Sequence, residues 1–460
     1  MVSLRLDEIA EKIGGRILQG SPSLVFEKFN IDSRLTEPGE LFFALVAGRN
    51  GHDFVPEAIN KGALGAVVSQ KMIFPDKDVA LIQVRDTLFA LQGLARKVLM
   101  ENPVKVIGIT GSIGKTTTKE FIFQLLSRRF IVLKSEGNFN NQLGLSLSLL
   151  KLTNKHQVAL LEMAMSGRGE IASLTRMAPP DIAVITNINP VHLQFFKSLE
   201  EIALAKKEIL EGTKNGGKAV LNGDDALVRK IAKSWKGEKI FFGLEERNDI
   251  RAQKIHKAGW QGMSFELVYG KEQEEMCAPF FYESYLYDLL AAAAVGWALS
   301  LPFEDVSAQA KALRPLSRRG CLIALAKNIK LIDDSYNSNP VALESALKGL
   351  AEFSSKRRVA VLGDMLELGE REVEFHLQAG RQVAKLGWDE LVTVGSLSKH
   401  MVEGALGAGM KKNQIFSFDD SDEAAEKIES LIQEGDLVLV KGSRKIKTEK
   451  IVERLKSKAK

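Results

Sequence analysis

After about residue 100, short runs of consecutive apolar residues alternate along the chain with longer segments that are apolar on one side only. A short, continuously apolar run is typical of a strand buried on both faces. Apolar residues spaced three and four apart predict a helix with one buried face. The alternation of these two patterns predicts a mostly parallel sheet that is covered by helices on both sides.

The middle third of the chain contains the strongest of these patterns. Its predicted strands are Val104–Ile109, Ile131–Leu133, Val158–Leu161, Ile182–Thr186, Lys218–Leu221 and Ile240–Phe242. Its predicted helices include Lys115–Phe130, Leu199–Glu211 and Ala226–Trp235. We therefore expect a central domain with a mostly parallel sheet.

The last third repeats the alternation on a smaller scale. Its predicted strands are Ile329–Ile332, Arg358–Leu362, Leu391–Val394 and Leu437–Val440. Its predicted helices are Ala342–Phe353, Glu372–Leu386 and Ala424–Glu434. This pattern predicts a smaller, Rossmann-like α/β domain.

Breaks in the pattern suggest three α/β or α+β domains. Glu101-Asn-Pro103 interrupts a helical run that starts at Leu88, and we expect a second boundary near Leu313-Arg-Pro-Leu-Ser317. We predict domains at residues 1–100, 101–313 and 314–460. A chain of 460 residues is long enough for about three domains of ordinary size.

Composition excludes several functional classes. The net charge of +5 is small for this length and gives no reason to expect a nucleic-acid partner. Two cysteines, Cys277 and Cys321, exclude a disulfide scaffold. The N-terminal residues do not resemble a signal peptide, and the apolar stretch Leu286–Phe303 contains Asp288, Gly296 and Pro302, so we interpret it as a buried helix rather than a membrane span. We expect a cytoplasmic monomer without membrane insertion.

The strongest local motif follows the strand Val104–Ile109 and opens the helix that begins at Lys115. Its two glycines allow backbone N–H groups to approach phosphate oxygens, and the helix N-terminus attracts anions. Lys115 suits the β- and γ-phosphates, and the Thr116 hydroxyl suits Mg²⁺. The predicted nucleotide contacts are Thr110, Gly111, Ser112, Ile113, Gly114, Lys115, Thr116 and Thr117.

This loop departs from the strict G-x-x-x-x-G-K-[ST] pattern, because Ile109 stands at the first glycine. The alternative interpretation is a glycine-rich turn with a chance lysine. The loop predicts a bound nucleoside triphosphate, and by itself it does not distinguish a kinase from a GTPase or a ligase.

Further motifs lie in all three predicted domains. They include Asp32-Ser-Arg34, Gly51-His-Asp-Phe54, Glu136-Gly-Asn-Phe-Asn-Asn141, Ala205-Lys-Lys-Glu208, Asp333-Asp-Ser-Tyr-Asn-Ser-Asn-Pro340, Val361-Leu-Gly-Asp-Met-Leu-Glu-Leu-Gly369 and Val440-Lys-Gly-Ser-Arg444. With these motifs the chain resembles the Mur ligases of bacterial cell-wall synthesis over essentially its whole length.

The resemblance implies an ATP-dependent, ADP-forming amide ligase. In the branch that the motifs resemble, a carboxylate of UDP-N-acetylmuramoyl-tripeptide attacks the γ-phosphate of ATP and forms an acyl phosphate. The amino group of D-alanyl-D-alanine then attacks the acyl carbon, and phosphate leaves. The product is the UDP-linked muramoyl pentapeptide, a peptidoglycan precursor, and the first domain holds the UDP group.

The resemblance also implies the catalytic residues, which are Lys115, Glu162, His192 and Lys206. Thr116 and Glu162 are expected to bind the first of one or two Mg²⁺ ions. His192 and Lys206, carbamylated by CO₂, are expected to bind the second. Less specific interpretations remain open: Glu162 as an exposed acid at a strand end, His192 as a surface or core residue, and Lys206 as part of a solvated helix face with Lys207.

Other contacts are expected on the same basis. The predicted nucleotide contacts in the last domain are Arg319, Asp334, Tyr336, Asn337 and Asn339. The predicted substrate contacts are Ser33, Arg34 and His52 for the UDP group, and Asn138, Asn140 and Asn141 for a carboxylate or phosphate. The alternative is that these two sets form an exposed loop and a turn. Contacts from the last domain require the domains to approach each other, so we predict a hinge near Leu313–Ser317.

One segment departs from the family pattern. The family's Gly-x-His-Asn-x-x-Asn motif contacts adenine, whereas Tyr282–Asp288 contains neither asparagine. Three hypotheses follow: the pentapeptide-forming ligase, a Mur-like ligase with another amino substrate, and a degenerate nucleotide-binding module. Phosphate release that requires both UDP-tripeptide and dipeptide would distinguish them.

Overall fold

The computed structural model describes residues 3–190 and 196–457. In this part of the chain three large sheets follow one another, with five, nine and six strands, and a separate two-stranded pairing lies near the N-terminus. The predicted α/β class is confirmed. In the described residues no sheet extends across the domain boundaries that we predict near residues 100 and 313. The positions of these domain boundaries stay a prediction.

The first sheet has the order β2-β7-β6-β5-β4, with β4 to β7 parallel and β2 antiparallel. Its strands and those of the small pairing are β1 Leu4–Arg5, β2 Arg16–Gln19, β3 Val25–Phe26, β4 Lys28–Asn30, β5 Glu40–Phe43, β6 Gly65–Val68 and β7 Ala80–Gln83. The helices are α1 Leu6–Ile13, α2 Val55–Asn60 and α3 Thr87–Glu101. Helix α3 shares its apolar core with the central sheet.

The second sheet has the order β16-β15-β14-β13-β12-β11-β8-β10-β9. Its strands are β8 Lys105–Thr110, β9 Val132–Lys134, β10 Val158–Glu162, β11 Ile182–Ile185, β12 Lys218–Asn222, β13 Glu238–Gly243, β14 Ile250–Lys257, β15 Met263–Tyr269 and β16 Glu272–Ala278. Strands β8 to β13 run parallel to one another, and β14 runs parallel to its neighbour β13. Strand β15 is antiparallel to β14, and β16 is antiparallel to β15. Every residue of β10 and β11 is buried, as their continuous apolar sequence requires.

Seven helices cover this sheet in the described residues. They are α4 Lys115–Leu126, α5 Gln142–Leu149, α6 Glu170–Met177, α7 Leu199–Glu211, α8 Ala226–Ala232, α9 Ser284–Ala298 and α10 Phe303–Ala312. Helices α4 and α8 end earlier than predicted. Most of the apolar stretch Leu286–Phe303 lies in α9, which ends at Ala298, and Pro302 is the N-cap residue of α10, which begins at Phe303.

The third sheet has the order β17-β18-β22-β19-β20-β21, with all but β17 parallel. Its strands are β17 Cys321–Ala324, β18 Lys330–Asp334, β19 Arg357–Gly363, β20 Glu390–Val394, β21 Ile415–Phe418 and β22 Asp436–Lys441. The helices are α11 Pro340–Ala351, α12 Glu372–Lys385, α13 Lys399–Gly407, α14 Ser421–Leu431 and α15 Glu449–Ser457.

Helix α9 connects the second and third sheets through one apolar core. Twelve of its residues are buried, and its cluster includes Leu289 with Ile332 and Leu362 from the third sheet. Across residues 3–190 and 196–457, no helix has both the length and the apolar character that crossing a bilayer would need.

Candidate active site

A cleft of about 1190 Å³ lies between the carboxyl ends of strands from the second and third sheets. On one side it is lined by the loop after β8, the loop before α5 and the start of α9. On the other side it is lined by the segments after β18 and β22. Strand β8 lies between β10 and β11, where the order of the sheet reverses, and this is where open α/β sheets bind ligands.

Two glycines give the loop after β8 its conformation. Gly111 has φ +155°, and a Cβ there would lie 1.8 Å from Oγ1 of Thr186. Gly114 has φ +85°, and its Cβ would lie 2.6 Å from Oδ1 of Asp288. Helix α4 begins directly after Gly114 and has no side-chain cap, so its first N–H groups are available to an anion.

Lys115 lies against this loop. Its Nζ donates hydrogen bonds to the carbonyl oxygens of Gly111, at 2.8 Å, and Ser112, at 3.1 Å. Burial lowers the pKa of Lys115, the Glu162 carboxylate partly offsets this effect, and Arg319 adds to it. The ammonium group is therefore held close to the N-terminus of α4 among other charged groups.

Glu162 ends β10 and is only 2% exposed, which excludes the alternative of a solvent-exposed strand-end acid. Its Oε2 accepts a hydrogen bond from the Thr116 hydroxyl at 3.0 Å and lies 3.8 Å from Nζ of Lys119. Its Oε1 accepts from Nδ2 of Asn140 at 2.9 Å. The carboxylate therefore connects the loop of residues 110–117, the phosphate loop, to the loop of residues 135–141, the asparagine loop.

Lys119 is a site residue that the sequence analysis missed. Its side chain is fully buried, and Nζ donates to the carbonyl oxygens of Ser135, at 2.6 Å, and Gly137, at 3.5 Å. Burial lowers the pKa of Lys119, and the facing Glu162 carboxylate opposes that shift. Its position four residues after Lys115, on the same face of α4, is the sequence signal that would have found it.

The three asparagines of the neighbouring loop have different positions. Asn140 contacts Glu162, as described above. Asn141 caps helix α5 by accepting a hydrogen bond from the N–H of Gly144 at 2.9 Å, and Asn138 lines the cleft. All three asparagines line the cleft, so the turn interpretation accounts only for the cap that Asn141 provides, and contact of the three side chains with a ligand stays a prediction.

The oxygen atoms around Thr116 are suitable ligands for a magnesium ion. A hydroxyl oxygen and a carboxylate oxygen lie 3.0 Å apart at the edge of the cleft, and Mg²⁺ prefers hard oxygen ligands, with phosphate oxygens and water completing its shell. The described residues contain no group of three or more His, Cys, Asp or Glu that would hold an ion without a nucleotide. His192, the predicted ligand of a second ion, lies outside the described residues.

Lys206 lies on α7 with only 2% of its surface exposed, which excludes the solvated helix face. Burial lowers its pKa well below the usual value, and the positive charge of Lys115 lowers it further. Lys207, in contrast, forms an ion pair with Glu211 at 3.0 Å on the outer side of the helix. Of these two neighbouring lysines, Lys206 is the one that faces the protein interior.

Arg319 and Tyr336 form part of the opposite wall. The guanidinium carbon of Arg319 lies 4.1 Å from the centre of the Tyr336 ring. The hydroxyl of Tyr285, at the start of α9, donates a hydrogen bond to the carbonyl oxygen of Arg319. Helix α9 therefore holds this arginine at the mouth of the cleft.

The other predicted nucleotide contacts of the last domain, Asp334, Asn337 and Asn339, also line the cleft, and each of them has an internal partner. Oδ2 of Asp334 accepts a hydrogen bond from Nζ of Lys441 at 2.6 Å, and burial raises the pKa of Asp334 against the effect of that lysine. Lys441 also donates to the carbonyl oxygen of Asn337 at 3.1 Å. Asn339 caps α11 by accepting from the N–H of Ala342. Direct nucleotide contacts by these residues stay a prediction.

The segment that departs from the family pattern forms the start of α9. Tyr282 and Tyr285 are buried and stacked, with ring centres 5.5 Å apart. The Tyr287 hydroxyl donates to Oδ2 of Asp224 at 3.0 Å, and Asp288 accepts from the Thr118 hydroxyl at 2.6 Å. Aromatic rings and a carboxyl group therefore occupy this wall in place of the two asparagines.

The three residues predicted to bind UDP do not line this cleft. Ser33 donates to Oε2 of Glu57 at 2.7 Å. Arg34 pairs with Asp32 at 2.6 Å while its side chain stays 81% exposed, so it is accessible to a ligand. His52 is 3% exposed, and its ring nitrogens contact Oδ1 of Asn50 and the N–H of Ser69. In this structure His52 supports its loop, and its contact with UDP stays a prediction.

Comparison with known proteins agrees with this architecture. Residues 109–296 match the Mur ligase middle domain, and residues 318–444 match the Mur ligase glutamate ligase domain. The UDP-N-acetylmuramoyl-tripeptide–D-alanyl-D-alanine ligase of Bacillus subtilis is 33% identical over 99% of both chains. A crystal structure of MurF from Acinetobacter baumannii is 30% identical, covers 99% of both chains and has a TM-score of 0.90.

A second solved structure contains a nucleotide. The MurF ligase of Thermotoga maritima in complex with ADP is 29% identical to this chain, covers 94% of it and 97% of its own length, and has a TM-score of 0.81. Since the relatives match nearly end to end and two domain matches together cover most of the chain, this protein belongs to the Mur ligase family.

Proposed function

We propose that this chain joins D-alanyl-D-alanine to UDP-N-acetylmuramoyl-tripeptide, with conversion of ATP to ADP and phosphate. The observation that carries the proposal is the arrangement of Lys115, Thr116 and Glu162 around the N-terminus of α4, facing Arg319 across the cleft. The end-to-end similarity to a B. subtilis ligase with this name supports the choice of substrates.

Charge is the main physical problem of this reaction, since a carboxylate must approach a triphosphate. Lys115 and the uncapped N–H groups of α4 reduce the repulsion from one side of the cleft, and the Arg319 guanidinium reduces it from the other. The remaining rate enhancement comes from holding the acid in line with the terminal phosphate and then holding the amine against the acyl carbon. Asn138 and Asn140 orient the acid without adding charge.

Mg²⁺, held by Thr116 and Glu162 together with the phosphates, would supply further positive charge to the terminal phosphate. Lys119 maintains the geometry of that pair, because it faces Oε2 of Glu162 and bonds the backbone of the asparagine loop. A second ion held by His192 and carbamylated Lys206 is the finer part of the proposal. Burial lowers the pKa of Lys206 and so favours the neutral amine, which is the form that reacts with CO₂.

The first domain would hold the UDP group. Arg34 offers an exposed guanidinium suited to a diphosphate, and Ser33 lies beside it. Helix α3 connects this domain to the central one, since Nε2 of Gln92 donates to Oε1 of Gln142 at 2.7 Å. The substrate's peptide would then extend from the first domain toward Asn138 at the cleft.

The test is phosphate release by purified protein with ATP, UDP-N-acetylmuramoyl-tripeptide and D-alanyl-D-alanine. We expect release that requires both substrates and that Lys115→Ala lowers by at least ~100-fold, since a charge facing the transferred phosphate is removed. Lys105→Ala, an exposed lysine at the start of β8, is the matched control. Full activity of Lys115→Ala would contradict the proposal.

The same assay distinguishes the other two hypotheses. Turnover with a different amine, and none with D-alanyl-D-alanine, would show a Mur-like ligase of other specificity. Binding of ADP without any turnover would show a degenerate nucleotide-binding module.

Bicarbonate dependence tests the role of Lys206. In CO₂-depleted buffer we expect activity to fall and to recover when bicarbonate is added. Lys206→Ala should be inactive under both conditions, whereas Lys207→Ala should behave like the wild type. Full activity of Lys206→Ala, without any response to bicarbonate, would exclude carbamylation.

A further inference from the structure

Among the residues that the structure describes, five cationic side chains line the cleft: Lys115, Arg319, Lys441, Arg444 and Lys445. Lys115 lies against the phosphate loop, Arg319 faces it across the cleft, and Lys441 is buried in its pair with Asp334. Arg444 and Lys445 follow β22 at the far side of the cleft and have no role in the phosphate chemistry described above. The incoming dipeptide has a terminal carboxylate, which needs a cation in the same cleft.

Arg444 has most of its donors available. Within the described residues its guanidinium makes one hydrogen bond, a long one of 3.5 Å from Nη1 to Oε1 of Glu449. Arg318 binds the same oxygen at the shorter distance of 3.1 Å. The Arg444 side chain is 56% exposed, and a guanidinium has five N–H donors in a planar arrangement that fits a carboxylate with two parallel bonds.

Tyr336 orients this arginine. Its ring lies 5.4 Å from the guanidinium carbon of Arg444 and 4.1 Å from that of Arg319. The two guanidinium carbons are therefore no farther apart than the sum of these two distances. An extended dipeptide spans at most ~7 Å. A dipeptide whose carboxylate contacts Arg444 is therefore long enough to extend most of the way to Arg319.

We propose that Arg444, held by Tyr336, binds the terminal carboxylate of the incoming dipeptide and so determines that the amino substrate is a free acid about two residues long. This inference rests on the proposed function. Lys441 is excluded from this role because its charge is paired in the interior. Lys445 is a compact ammonium group without an aromatic contact, and it offers no planar pair of donors.

The experiment compares D-alanyl-D-alanine with D-alanyl-D-alaninamide, which lacks the carboxylate, in the wild type, Arg444→Ala and Arg444→Lys. Arg371→Ala is the matched control, since Arg371 is also half exposed and lies over an aromatic ring, that of Phe375, but does not line the cleft. The kcat/KM for each amine and the KM for ATP are measured, and ADP binding reports on the integrity of the fold.

We expect Arg444→Ala to lower kcat/KM for the acid by about 10- to 100-fold, as for a lost charge-assisted bidentate contact. It should leave the value for the amide, the KM for ATP and ADP binding unchanged. Arg444→Lys should recover part of the loss, and Arg371→Ala should match the wild type. Equal losses with acid and amide, or no loss in Arg444→Ala, would overturn the inference. If the wild type fails to use either amine, the proposed function itself is wrong.

Discussion

The Thr118 hydroxyl donates a 2.6 Å hydrogen bond to the buried carboxyl group of Asp288, which connects α4 to α9 directly behind the phosphate loop. Asp288 also fills the space that a Cβ at Gly114 would need. The N-terminus of α4 is therefore positioned by a residue 170 positions away in the chain.

Asp288→Asn should change how stability depends on pH. Burial raises the pKa of Asp288 to about 7 from a usual value of 3.8, although the Thr118 bond lowers it slightly. Between these two pH values the folded protein holds a proton that the unfolded chain has lost, so stability falls as pH rises from about 4 to about 7 and stays lower above. Asparagine keeps the acceptor for Thr118 and removes the ionisation.

Denaturant unfolding at a series of pH values checks this. Relative to the wild type, Asp288→Asn should gain stability from pH 4 to pH 7 and be more stable at pH 8 by up to a few kcal/mol, because each unit of pKa shift corresponds to about 1.4 kcal/mol. Asp305→Asn, at a half-exposed position on α10, should follow the wild-type curve. Parallel curves for Asp288→Asn and the wild type would show that Asp288 is already ionised at low pH.

Gly114→Ala should abolish nucleotide binding while leaving most of the fold intact. The substitution combines a left-handed φ of +85° with a contact of 2.6 Å to Oδ1 of Asp288, so the start of α4 or the Asp288 side chain must move. We expect the Kd for ADP, measured by calorimetry, to rise by ~100-fold or more.

Gly216→Ala separates this effect from backbone strain alone. Gly216 has φ +79°, but nothing lies within 4 Å of its Cβ position. Its substitution should cost about 1 kcal/mol of stability and leave ADP binding unchanged. Normal ADP binding by Gly114→Ala would mean that the loop is not the phosphate site.

The parallel strands could be predicted because burial on both faces leaves only apolar residues in them, as in Ile182–Ile185. Strands β14 to β16 could not be predicted in the same way. In β14 the register shifts between Gln253 and His256 around Lys254, whose φ is +52°, and this interrupts the two-residue period. Strand β16 is mostly polar and is recognisable only through its pairing with β15.

The candidate site shows the same division between local and long-range information. The phosphate loop is one continuous segment, and its strand, glycines and helix are all visible in the sequence. The contacts of Lys119 with Glu162 and of Thr118 with Asp288 join residues far apart in the chain, so only the fold reveals them. Burial of His52 in its own loop was equally hidden, because an exposed and a buried histidine look the same in a sequence.

Domain closure at the predicted hinge near Leu313–Ser317 should be visible in solution. Arg319 and Tyr336 belong to the wall opposite the phosphate loop, so substrates that contact both walls should draw them together. Small-angle scattering should give a smaller radius of gyration when a non-hydrolysable ATP analogue and UDP-tripeptide are added together. Lys115→Ala should not respond to the same mixture, and identical profiles for the wild type with and without ligands would contradict closure.

Lys119→Met should lower kcat without preventing nucleotide binding. Methionine keeps much of the side-chain volume but loses the hydrogen bonds to the backbone of the asparagine loop and the positive charge near Oε2 of Glu162. Both Glu162 and Asn140 would then lose their fixed positions, and we expect kcat to fall by ~10- to 100-fold. Because Lys119 does not contact the N-terminal turn of α4, the Kd for ADP without metal should change less than threefold, as an order-of-magnitude limit.

Lys134→Met is the matched control for this change. Lys134 also pairs with an acid, Glu120 of the same helix α4, and its side chain is only partly exposed. Its replacement removes a lysine of the same length from an adjacent position without touching Glu162, so kcat should stay near the wild-type value. If both variants reduced kcat equally, the loss would reflect general destabilisation around α4. A loss confined to Lys119→Met would identify Lys119 as the residue that positions the Glu162 carboxylate.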